Sequence, residues 1–123
     1  MNIRQVLESE NDPDKLLGDI LRVLAVYRKL WVSEIVSEIA SLRKTLGEEE
    51  VGEKQVREAL YKLMSKNIVV GDRRTRTTFR GSVEEYLVEL NITPDLANLI
   101  NKDERLRKYL TEKYNALKQL GEK

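Results

Sequence analysis

The side chains in this 123-residue sequence best suited to chemistry are cations. Arg73, Arg74, Arg76 and Arg80 lie within eight positions of one another, and a guanidinium's planar fork binds phosphate oxygens in pairs. Upstream, Lys54, Gln55, Arg57, Glu58, Tyr61, Lys62 and Ser65 line the polar side of a helical pattern. Gln55, Arg57, Tyr61 and Ser65 have the donors and acceptors to reach base edges or phosphates, and Glu58 can accept from a cytosine amine. Residues 54–80 hold eight cations and two anions, a net +6 against −5 for the remainder of the chain. Such an asymmetry points to a localised anionic partner. Two plainer readings stand beside it. A charged hairpin edge discourages pairing with other sheets, and Lys54, Glu58 and Lys62, four apart, can form an ion-pair ladder worth a few tenths of a kcal/mol per pair.

Catalysis has little to build on. The chain has no histidine and no cysteine, which removes the commonest general base, the commonest transition-metal ligands and the thiol nucleophile. Ser33, Ser65 and Ser82 have no recognisable activating partner, no glycine-rich phosphate loop occurs, and Glu48 to Glu50 lack the spacing of a calcium loop. No enzyme, cofactor or metal is expected, and the length leaves no room for a separate small-molecule sensing domain. With no membrane-length apolar run and no cysteine, a cytoplasmic protein is expected. Charged residues make up 35% against about 25% in ordinary domains, which suggests a thermophilic source.

The elements that must hold these groups follow from periodicity. Ile3, Val6 and Leu7 suggest a brief N-terminal turn. Asp12 as N-cap and Pro13 at the first position start a helix that buries Leu16, Leu17, Ile20, Leu24 and Tyr27, with Leu21 and Val23 at its margins. Leu30 to Val32 break the period as a short strand, and Trp31 reads as a core or sheet anchor. Ser33 then caps a helix to about Leu46 that buries Ile35, Val36, Ile39 and Leu42. The acidic loop Gly47 to Gly52 leads into helix 52–66, with Gly52 as N-cap, a stripe of Val56, Ala59, Leu60, Leu63 and Met64, and Asn67 as a left-handed stop. Ile68 to Val70 and Arg76 to Arg80 are the expected hairpin strands. Arg73 and Arg74 then lie near the turn, and Arg74, Arg76 and Arg80 share a face.

After Gly81, Ser82 is expected to cap a helix whose stripe is Val83, Tyr86, Leu87 and Leu90. Thr93 and Pro94 start another, and Asp103 caps a last one. In that last helix Leu106, Leu110, Lys113, Leu117 and Leu120 step by four and three, a heptad spacing interrupted by Lys113. Intrachain packing and homodimer contact are both open for this stripe. Two-fold symmetry, which doubles the contacts of a small module, favours a homodimer through the C-terminal helices.

The run V56-R-E-A59-L60-Y-K-L63-M, then I68-V-V70-G-D, then a basic hairpin, resembles the winged helix-turn-helix family, and within it small regulators of the PadR or MarR kind. The resemblance covers roughly residues 14 to 81. It implies a mainly α fold with a small β-hairpin, a winged helix-turn-helix domain at 12–81 and a helical extension at 82–123. It also implies double-stranded DNA as partner, with helix 52–66 in the major groove and the hairpin, the wing, on the phosphates. The alternative is that the same fold serves as a protein-interaction module in a replication, transcription or segregation assembly. The glutamates at 48–50, which would repel phosphates beside the recognition helix, motivate it.

Overall fold

The computed structural model of the chain describes residues 1–121. It is mainly helical, with a small three-stranded antiparallel sheet. In chain order the elements are α1 (Ile3–Glu8), α2 (Asp14–Tyr27), β1 (Lys29–Trp31), α3 (Val32–Thr45) and α4 (Glu53–Ser65), then β2 (Val69–Thr78), β3 (Gly81–Leu90), α5 (Pro94–Asn101) and α6 (Glu104–Gly121).

Helix α2 is the centre of the core. Leu16, Leu17, Ile20, Leu21, Val23 and Leu24 are all buried, because the helix packs against α1, α3, α4, β1 and β3 at once. A surface helix would bury one stripe; here Leu21 and Val23, marginal by periodicity, are as enclosed as Ile20. Gly18 allows the close approach of α1: a Cβ there would sit 3.1 Å from the Val6 carbonyl oxygen and 3.0 Å from Arg22 Nη1. Pro13 occupies the N-cap position of α2 and the helix begins at Asp14. Asp12, the expected cap, accepts from Arg43 Nη2 at 3.0 Å, so its carboxylate ties the start of α2 to α3.

Helix α3 starts two residues earlier than expected. Trp31 is its N-cap, and Glu34 Oε1 accepts from the Trp31 backbone N–H at 3.0 Å. Helix α4 begins after Gly52, where Gln55 Oε1 accepts from the Gly52 N–H at 3.1 Å, and Val56, Ala59, Leu60 and Leu63 are buried. Asn67 follows at φ 59°, the left-handed stop read from its side chain.

The largest departure from the sequence reading lies beyond Asn67. Strand β2 is continuous from Val69 to Thr78, and the segment expected as a helix from Val83 to Leu90 is strand β3. The register runs from Val69 opposite Leu90 to Thr78 opposite Gly81, and β1 pairs with β3, giving the order β1-β3-β2. Val83, Tyr86, Leu87 and Leu90 fit a helical stripe, but Val88 and Leu90 also fit a period of two, and burying both against the core selects the strand. A domain boundary at residue 81 would therefore cut the hairpin. Its turn is Phe79–Arg80, closed by Gly81 at φ 118°, a conformation side-chain-bearing residues rarely adopt. Helices α5 and α6 start at the expected caps: Thr93 Oγ1 accepts from the Leu96 N–H, and Asp103 Oδ2 from the Leu106 N–H.

Candidate nucleic-acid interface

The buried stripe of α4 fixes what its other side presents. Lys54, Gln55, Glu58, Tyr61, Lys62 and Ser65 are exposed, and Arg57 is half-buried. Some of these groups are already engaged. Gln55 closes the helix start, Ser65 Oγ donates to the Lys62 carbonyl at 2.7 Å, and Arg57 Nε lies 3.5 Å from Glu53. Tyr61 rests edge-on against Tyr86 of β3, with ring centroids 6.5 Å apart. Among the described residues, Lys54, Glu58 and Lys62 form no ion pair, so the ladder their spacing allows is absent.

The hairpin arginines are placed differently from expectation. All of Arg73, Arg74 and Arg76 lie on the incoming strand β2, away from the turn, and only Arg80 sits at the tip. Arg73 Nη2 pairs with Glu84 at 2.7 Å and Arg74 Nε with Asp72 at 2.7 Å. Arg76 is a clasp. Its Nη1 donates to Ser33 Oγ at 2.7 Å and lies 3.2 Å from Glu85, while the guanidinium packs 5.6 Å from the Trp31 ring centroid. Glu85 also accepts from the Ser33 backbone N–H at 2.7 Å. Partial burial works to raise the Glu85 pKa, but the bonds from Ser33 and Arg76 win and hold it below the ordinary value. Trp31 and Arg76 thus fasten the hairpin to the start of α3.

These pairings change the electrostatics. The complete hairpin, residues 69–90, carries four arginines and four carboxylates, Asp72, Glu84, Glu85 and Glu89, so it is neutral. The +6 segment ends one residue before the turn closes and leaves out the three glutamates of β3. The Arg73 and Arg74 pairs are more than half exposed, so each is worth little in stability. Their charge is nonetheless cancelled at the range over which a polyanion would feel it. Among the described residues, Lys54, Lys62, Lys66 and Arg80 form no ion pair. Beside Arg80, the Phe79 side chain is fully exposed.

The acidic loop divides. Glu48 turns inward, taking both Arg105 Nη groups at 2.7 Å and Lys15 Nζ at 3.0 Å. Glu49 and Glu50 stay exposed near the start of α4. Glu48 belongs to an ionic cluster that the sequence reading missed. At its centre Asp19, fully buried, accepts from Arg22 Nη1 at 2.8 Å, Arg43 Nε at 3.0 Å, and Arg105 Nε and Nη2 at 2.8 and 2.9 Å. Arg22 continues to Asp103 and the Leu7 carbonyl, and Arg43 to Asp12. No buried side-chain polar atom among the described residues lacks a partner. Hydrogen bonds from Arg105 bring the Glu48 pKa down to about 2, and the Arg43 bond lowers that of Asp12. The charges of the cluster are neutralised internally.

The heptad of α6 is split. Leu106 and Tyr109 are buried, and Lys113 turns back to donate to Tyr27 Oη, 4.0 Å from Glu38. Burial, reinforced by Glu34, raises the Glu38 pKa. Leu110, Tyr114, Leu117 and Leu120 remain exposed. No helix among the described residues is long and apolar enough to cross a membrane. No protein-family model matches the chain, and no curated protein matches it.

Proposed function

We propose that the chain is a winged-helix module that works by docking a protein partner on its α4–hairpin side. The helix, strand, helix, helix, hairpin order from α2 to β3, with strand order β1-β3-β2, supports the winged-helix resemblance. One observation carries the choice of partner: the hairpin is electroneutral, and Arg73, Arg74 and Arg76 each meet a carboxylate of the same hairpin. A phosphate clamp draws its affinity from uncompensated cations. In their place the surface offers Tyr61 and Tyr86 in the angle between helix and hairpin, and Phe79 at the tip. Exposed aromatic residues suit the centre of a protein interface.

A second reading, DNA binding, draws on Lys54, Lys62, Lys66 and Arg80, which have no ionic partner among the described residues. Fluorescence anisotropy with a random-sequence duplex separates the two. The protein-partner reading expects no binding at tens of micromolar in 50 mM salt, because non-specific DNA binders reach about 10⁻⁴ to 10⁻⁶ M even at physiological salt. Binding below about 1 µM, with log affinity falling against log salt at a slope of roughly −3.6 for four neutralised phosphates, would return the function to DNA.

A further inference from the structure

Helix α6 runs antiparallel to α3, with Tyr109 near Glu38 and Lys113 bridging to Tyr27 and Glu38. Past Lys113 every residue to Gly121 is exposed, so the last two turns project beyond the body they pack on. An isolated helix end of this length is marginal in water, yet it carries a continuous apolar stripe. Leu110, Tyr114, Leu117 and Leu120 are 40%, 66%, 60% and 67% exposed. We propose that this stripe pairs with the same stripe of a second copy of the chain, antiparallel about a two-fold axis.

Residue spacing and size favour a second copy, and area limits how tightly it is held. At about 200 Å² for a fully exposed side chain of this size, the four leave on the order of 450 Å² open per chain. A two-fold pair covers at most on the order of 900 Å² before its polar rim is counted, short of the roughly 1,200 Å² of a stable interface, which places the pairing at the weak end. Leu110, Tyr114, Leu117 and Gly121 recur at spacings of four, three and four, the seam of a two-helix packing. Aligning Tyr114 of one chain with Leu117 of the other sets Leu110 against Gly121. A large side chain then meets a position with no Cβ and nothing within 4 Å of where one would be. The same register puts Thr111 beside Lys118, so no like charges face each other across the seam. An anionic membrane fits less well, since Lys118 is the only cation among residues 114–121.

Sedimentation equilibrium of the full chain from 1 µM to 500 µM, with melting followed at both ends of that range, tests the pairing. A dimer with a dissociation constant in the micromolar range is expected, and a melting temperature that rises with concentration. Leu117→Glu should weaken the dimer roughly 100-fold while the dilute-limit melting temperature stays within a few degrees, because Leu117 is exposed in the single chain. Gly121→Leu should weaken it through the clash with Leu110, and adding Leu110→Ala should restore most of the loss. Should Leu117→Glu unfold the chain, the Gly121→Leu pair still reads the register, since position 121 is open. A monomer throughout the range, a dimer indifferent to Leu117→Glu, or a Gly121→Leu loss that Leu110→Ala leaves unchanged would each overturn the proposal. DNA or partner binding at α4 does not enter these readouts.

Discussion

Asp19 shows how much one carboxylate can organise. Enclosed at 0% exposure, it accepts four hydrogen bonds from three arginines, and those arginines reach Asp12, Asp103, Glu48 and the Leu7 carbonyl. Buried ion pairs contribute modestly when complete and cost heavily when one member is lost. Asp19→Asn, which keeps the shape and removes the charge, is expected to destabilise the fold by about 3–5 kcal/mol. Urea denaturation would measure it, and a loss below 1 kcal/mol would contradict the cluster's role. Glu48 gives the same cluster a pH dependence. Its pKa of about 2 lies below the ordinary 4.5, so its stabilisation is complete above pH 4.5 and is lost as pH falls toward 2. The loss is bounded at about 3 kcal/mol by linkage. Glu38, shifted upward, acts in the opposite direction when it protonates. Denaturation midpoints at pH 6 and pH 3 should differ clearly in the wild type and less in Glu48→Gln, the remaining difference coming from Asp12 and Glu85, whose pKa values are also lowered.

At the scale of elements, Gly18 sets two forces against each other. Alanine is about 1 kcal/mol better than glycine inside a helix, but its Cβ would press on the Val6 carbonyl and Arg22 Nη1 at 3.1 and 3.0 Å. Overpacking costs about 1–3 kcal/mol, so Gly18→Ala should destabilise, and a raised denaturation midpoint would show that α1 is loosely held. The caps at Gly52, Thr93 and Asp103 and the left-handed Asn67 were legible in the sequence, because each acts within three or four residues. Strand β3 was not. Its apolar residues satisfy two periods, and the choice between them rests on pairing Leu90 with Val69 and Val88 with Leu30. Without that strand the partners of Arg73 and Arg76 are hidden, since the helical period assigns Glu84 and Glu85 to a separate helix. The α4 face was legible as a surface, while its ligand was not. The Asp19 cluster escaped altogether, because its arginines come from 3, 24 and 86 residues away.

Across the whole molecule, a high proportion of charge is partly drawn inside, where three arginines and an aspartate tie α1, α2, α3 and the start of α6 together. The desolvation penalty of such groups falls as temperature rises. Thermal unfolding is therefore expected above the mesophile range of about 45–65 °C, and calorimetry showing a midpoint inside that range would remove the thermophilic reading. The cluster also constrains heredity. Exchanging Asp19, Arg22, Arg43 or Arg105 singly unbalances a charge set centred on a fully buried carboxylate, so a lineage can abandon the set together more readily than one member at a time. Descendants of a common ancestor should retain these four positions as a block even where their surfaces have diverged, which makes that quartet a better genealogical marker than the arginine-rich hairpin that first draws the eye.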